Sequence, residues 1–384
     1  CLLKAVVFRI FSQLIIIMYV YYLEGLKNED VTLNGTQLIQ KYGYDVEEHH
    51  VTTSDGYILS MYRIPAKGDN KGVVFLMHGL LSSFADWLTA GPDKGLAYVL
   101  AALGYDVWMG NARGNTYSKK NINLSSSDPK FWDFSWDEIG RLDLPAMIDY
   151  VLEETGQEKL VYIGHSQGTT VFYVMCSEKP QYNDKISLMI SLSAVAWMKH
   201  ITSPLLRIGS EFHDIIYLLG KGLGFNEVVP DNDLKKAITL TLCGNSFLAS
   251  AICQNVGFLL FGFDYSQINY KQSPVIFNHN PSSSSLKQLN HYAQLVLSGY
   301  FRNYDYGPAE NLIKYRSPTP PSYPVEKITV PIVIFYSYND WLSNTIDVNV
   351  LRSKLKNVVG YYEVPLRTFN HNDYIFAKDA SDKV

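Results

Sequence analysis

The segment Leu160-Val161-Tyr162-Ile163-Gly164-His165-Ser166-Gln167-Gly168-Thr169-Thr170 constrains the fold of this chain more than any other. An apolar run ends in Gly-x-Ser-x-Gly and passes without a break into a helix-forming stretch, Thr169 to Cys176. A strand that turns so sharply into a helix holds Ser166 at the apex, with its Oγ presented outward. Gly164 and Gly168 are required because side chains there would collide inside the turn. The helix starting after Ser166 also presents free backbone N–H groups, which suit a developing oxyanion.

The chain on either side has the rhythm such an elbow needs. Glu47 to Thr53 and Tyr57 to Ile64 alternate in polarity around Ser54-Asp55-Gly56, the pattern of a hairpin. Gly72 to Met77 is a continuous apolar run, as expected of a buried parallel strand, and it ends in His78-Gly79-Leu80-Leu81-Ser82-Ser83. Leu96 to Leu103 fits a helix, Asp106 to Met109 a strand, and Asn111 to Asn115 a loop. Ile139 to Thr155 fits one helix, and Ile186 to Val195 a further strand. Strands and helices in alternation predict an α/β fold, a mostly parallel, doubly wound sheet.

After Trp197 the alternation stops. Leu205, Ile208, Phe212, Ile215, Ile216 and Leu219 recur at helical spacing, with Gly220 as the expected stop. Leu234 to Cys243, Ser246 to Phe261 and Ser284 to Leu297 also fit helices. A strand of the parallel type returns only at Ile328 to Tyr336, so 198–306 is expected to be a helical cap or lid inserted in the core. Its first helix invites two readings: a face packed on the core, or a movable lid face over Ser166.

A serine nucleophile needs a base, and the base needs an acid to orient it. Of the five histidines after the elbow, His200, His213, His279 and His291 lie in the cap or at its edge. His371, in Phe369-Asn370-His371-Asn372-Asp373, follows the last expected strand and is the candidate base. His165 is excluded, because the serine's neighbour on a strand turns its side chain away. Asp340 directly follows the strand Ile332 to Tyr336, at the end where α/β sheets carry their sites, and is the candidate acid. Asp347 is the rival, and Asp373 is better placed to cap the final helix. The oxyanion donors are expected to be the backbone N–H groups of Gln167 and Leu80.

A net charge of −4 with no Lys/Arg cluster excludes a nucleic-acid surface, and 47% hydrophobic residues suffice for a large core. The four cysteines have no metal-ligand spacing, so no metal is expected; Cys243 and Cys253 are close enough for a short-loop disulfide. Lys4 and Arg9 precede an uncharged run, Ile10 to Leu23, with the form of a secretory signal over 1–26. That run is short for a stable membrane span, although an uncleaved signal anchor has the same form. Sequons at Asn34 and Asn123 fit a glycosylated product.

From Tyr42 onward the chain resembles the acid lipase family of neutral-lipid hydrolases, the gastric and lysosomal acid lipase type. The resemblance rests on Asp55-Gly56-Tyr57-Ile58-Leu59, His78 to Ser83, Gly110 to Ser118, Phe131 to Ser135, Asp143 to Tyr150, Gly164 to Gly168 and Phe369 to Asp373. It implies an α/β-hydrolase fold with core segments 27–197 and 307–384. It also implies a nucleophile at Ser166, an acid at Asp340, a base at His371 and oxyanion donors at Leu80 and Gln167. The implied activity is hydrolysis of neutral lipid esters at a lipid–water interface through an acyl-enzyme, without a cofactor, in a secreted or lysosomal protein. Departures from the family are Phe261 where a third cap cysteine often falls, and Ser337-Tyr338-Asn339-Asp340 in place of Gly-Gly-Asn-Asp. Because a fold does not fix a substrate, the alternatives are an esterase of small soluble esters, an acyltransferase or a non-catalytic lipid-binding protein.

Overall fold

A computed structural model of the chain describes residues 28–230 and 255–384. The expected cysteine pair, the signal-like segment and the helix Leu234 to Cys243 lie outside the described residues.

Eleven strands occur among the described residues, and most come from the apolar runs. They are β1 (Glu47–Thr52), β2 (Tyr57–Ile64), β3 (Val73–Met77), β4 (Asp106–Met109), β5 (Lys120–Asn121), β6 (Leu160–His165), β7 (Ile186–Leu192), β8 (Glu227–Val228), β9 (Ser284–Ser285), β10 (Ile332–Tyr336) and β11 (Val358–Glu363). The main sheet runs β1-β2-β4-β3-β6-β7-β10-β11, with β5 paired to β2. The pairs from β4 to β11 are parallel, and the first two, β1–β2 and β2–β4, are antiparallel. The sheet is thus mixed but mostly parallel.

Its central strands are apolar throughout because both faces are covered. Val73, Phe75 and Met77 of β3 enter one core with Leu144, Met147, Val151 and Val171. Val74 and Leu76, pointing the other way, enter a second core with Trp87, Ala97, Tyr98 and Ile375. Two hydrophobic layers therefore clamp the sheet, and the carboxyl ends of its parallel strands converge on one rim.

Several boundaries differ from expectation. The stretch Ile139 to Thr155 is not one regular helix: Ile139–Asp143 forms a wide π turn before the α-helix Leu144–Thr155. A Cβ at Gly140 would stand 2.7 Å from Val174, so this turn presses on the elbow helix. The strand expected from Ile186 to Val195 stops at Leu192, because Ser193 turns to φ +56°. Ile328 precedes β10 instead of opening it. The expected cap helix through Leu205 to Leu219 is two helices, Pro204–Glu211 and His213–Gly222, broken at Phe212 and running past Gly220. A further helix, Leu286–Ser298, is capped by the Ser285 hydroxyl and ends in left-handed Gly299. It supports the first two, with His213 Nδ1 bonded to Asn290 Oδ1 at 2.6 Å.

Candidate active site

The elbow forms as its glycines require. Ser166 sits between β6 and the helix Gln167–Glu178 with φ +52° and ψ −116°, a conformation disfavoured for a side-chain-bearing residue. A Cβ on Gly164 would lie 2.7 Å from the Gly168 carbonyl, and one on Gly168 would lie 2.2 Å from the Met77 oxygen. Both are far inside contact distance, so β3, β6 and the helix approach this closely only because two side chains are absent. The Thr169 hydroxyl closes the turn by donating to the Ser166 carbonyl at 2.6 Å. Ser166 itself is half-buried instead of standing fully open.

His371 and Asp340 come to this apex from the segments that follow β11 and β10. His371 Nε2 lies 2.8 Å from Ser166 Oγ. Its Nδ1 lies 2.9 and 3.1 Å from the two oxygens of Asp340. A carboxylate only accepts, so Nδ1 carries the proton and Nε2 is left free to accept the Ser166 hydroxyl proton. Asp340 is 2% exposed and accepts the N–H groups of Leu342 at 3.0 Å and Ser343 at 2.8 Å. Burial alone would raise its pKa. The His371 charge and the bonds from His371, Ser193 and Ser343 outweigh burial and hold it below the ordinary carboxylate value. The rival Asp347 is engaged elsewhere, accepting from His200 N at 2.7 Å and pairing with His200 Nδ1 at 2.8 Å. Asp373 stands in the first turn of Asp373–Phe376 and accepts the Asn370 N–H at 2.6 Å.

The loop after β3 lies against the nucleophile. A Cβ on Gly79 would be 3.3 Å from that of Ser166, so this backbone passes directly over the elbow. His78 fixes the loop. Its Nε2 accepts the Ala112 N–H at 3.1 Å, so its proton sits on Nδ1 and is donated to the Gly79 carbonyl at 2.7 Å. Burial, opposed by that carbonyl bond, lowers its pKa to about 4 and keeps it neutral. Leu80 follows in this loop, and Gln167 is the first residue of the elbow helix, whose N–H has no carbonyl four residues back. Both sequon asparagines, Asn34 and Asn123, are exposed.

Three neighbours of the triad were given no place in the site by sequence. His165, excluded above as the base, donates from Nε2 to the His371 carbonyl at 2.9 Å and so steadies the loop that carries the base. Phe261 stacks its ring parallel to His371 at 5.8 Å, and the His371 N–H donates to its carbonyl. Ser193 bonds both Asp340 and His371. Its one sequence signal is position, a hydroxyl at the carboxyl end of a parallel strand beside the strand of the acid.

The family model for the partial alpha/beta-hydrolase lipase region matches residues 35–91, and that for the alpha/beta hydrolase fold matches residues 72–215. Lipase 1 of Drosophila melanogaster is 42% identical over 353 residues, 91% of this chain and 77% of that one. The gastric triacylglycerol lipase of Mus musculus is 40% identical over 369 residues, 94% of this chain and 91% of its own. The chain belongs to the acid lipase family. As a member it is a lipase, a carboxylic ester hydrolase. The human gastric triacylglycerol lipase is 37% identical over 92% of this chain and 89% of its own. A Sulfolobus solfataricus crystal structure, described as that of a candidate lipase, shares the fold alone: TM-score 0.53, 14% identity, covering 85% of this chain and 87% of that one.

Proposed function

We propose that this acid lipase hydrolyses neutral lipid esters, triacylglycerols or cholesteryl esters, with Ser166 as nucleophile, His371 as base and Asp340 as acid. The observation that carries the reading is the unbroken chain of bonds from Ser166 Oγ through His371 to a buried, ionised Asp340. His371 Nε2 takes the hydroxyl proton as Ser166 Oγ attacks the ester carbonyl. The N–H groups of Leu80 and Gln167 hold the oxyanion. The C–O bond to the alcohol breaks as His371 returns the proton to it. Water, deprotonated by the same nitrogen, then attacks the acyl carbon, the bond to Ser166 Oγ breaks as His371 returns the proton to that oxygen, and the fatty acid leaves. Asp340 stays ionised throughout and stabilises the imidazolium. The steps draw on side chains and backbone of this chain and require no cofactor.

The same reading gives the cap, residues 198–306, contact with the lipid surface. Leu205, Ile208, Phe212, Ile215, Ile216 and Leu219 are each between 46% and 61% exposed. They do not pack fully on the core. Such a surface is costly in water and favourable on lipid by roughly 25 cal/mol per Å². No helix among the described residues is long and apolar enough to cross a membrane. The proposed layout is completed by a secretory signal over 1–26, glycans on Asn34 and Asn123, a Cys243–Cys253 disulfide and a secreted or lysosomal destination. The test is fatty-acid release from emulsified triacylglycerol and cholesteryl oleate between acid and neutral pH. Turnover of short soluble esters with none on either emulsion would overturn the substrate assignment.

A further inference from the structure

The turn after β7 touches every member of the proposed triad. Leu192 O accepts the Ser166 N–H at 3.1 Å. Ala194 O accepts the Ser343 hydroxyl at 2.6 Å, and Ser343 N donates to Asp340. Between them Ser193, 0% exposed, places its Oγ 2.5 Å from Asp340 Oδ2 and 2.6 Å from His371 Nδ1. Its backbone is held at φ +56° with its N–H donating to Phe335 O at 3.2 Å. A residue with a Cβ is disfavoured in that conformation, and glycine would meet it at no steric cost. The hydroxyl is what glycine would not supply.

We infer that Ser193 is a positioning residue, whose hydroxyl locks the Asp340 carboxylate and the His371 ring into one plane of contact. Its proton goes to Asp340 Oδ2, and its lone pair shares the Nδ1 proton of His371 with Asp340. The carboxylate thereby gains a donor on the oxygen that the Leu342 and Ser343 N–H groups do not reach. The imidazole gains a second acceptor, which narrows its rotation about the line to Ser166. Hydrogen bonds to a charged group in a buried site are the strong ones, and orienting the base acts on the chemical step, not on substrate binding. The inference rests on the triad proposed above.

The test uses Ser193→Gly, which accepts the left-handed backbone and so keeps the fold while removing the hydroxyl, alongside Ser193→Ala. On a soluble short-chain ester, kcat of Ser193→Gly is expected to fall about ten-fold, the rough size of one lost charge-assisted hydrogen bond, with KM little changed. Introduced into Asp340→Asn, the same change is expected to cost clearly less than ten-fold, because the share of its effect that runs through the carboxylate is already lost. An unchanged kcat, or a full further ten-fold loss in the double variant, overturns the role of Ser193 while leaving the triad standing. A high kcat in Asp340→Asn alone would overturn the triad itself and, with it, this inference.

Discussion

Gly168 and Asp340 show how far single residues determine the site. A Cβ at Gly168 would stand 2.2 Å from the Met77 oxygen, and neither partner is a flexible side-chain end. Gly168→Ala is therefore expected to push β3 off the elbow, with a loss of at least ~100-fold in activity and a lowered Tm, measurable together in one purified preparation. Asp340→Asn is expected to cost on the order of 10⁴ in kcat by favouring the wrong His371 tautomer. Asp347→Asn, which touches His200 and not His371, is expected to change kcat by less than about three-fold, within the range of non-catalytic substitutions. The opposite ranking would mean that the wrong carboxylate has been assigned. Ser166, His371 and Asp340 were legible because their chemistry, chain order and position after strands leave few alternatives. Ser193 and Phe261 were not. A buried serine in an apolar run and a cap phenylalanine acquire meaning only when chain more than a hundred residues away folds against them.

At the level of elements, legibility followed burial. β3, β4 and β6 are covered on both faces and stood out as apolar runs. β11 was missed because it is an edge strand with exposed Val359 and Tyr362 and an internal Gly360, so neither continuity nor strict alternation marks it. The break at Phe212 was missed because the apolar spacing runs through it. That spacing describes a surface shared by two helices, and the surface is exposed. If it meets lipid, Phe212→Asp or Ile216→Asp should lower the rate on triacylglycerol emulsions by at least about ten-fold, with little effect on a soluble short-chain ester. That corresponds to losing ~1.4 kcal/mol of interfacial contact, well within one aromatic or aliphatic side chain. Equal losses on both substrates would instead mark a structural helix pair.

Across the whole molecule, Asp264, shortly after Phe261, and Asp373, shortly after the base, share a buried acidic contact that sets a pH dependence. Burial, then the charges of Asp264 and Asp340, push Asp373 from 3.8 up to about 8, against the Asn370 N–H that pulls it down. The native state therefore holds a proton between about 3.8 and about 8 that the unfolded chain releases. This contribution is complete below the lower value and is lost as pH rises through the upper one. Calorimetry is expected to show Tm falling across that window, with a shallower fall in Asp373→Asn; identical slopes would remove Asp373 as the cause. The sheet, the cap and the loops all serve one arrangement, and one measurement reaches it most directly. A fluorophosphonate probe should add a single mass to the protein, located by peptide mapping on Ser166, and abolish release of fatty acid from emulsified triacylglycerol. Ser166→Ala, folded by circular dichroism, should take no label and release none. Labelling at another residue, or lipolysis persisting in Ser166→Ala, would contradict the account.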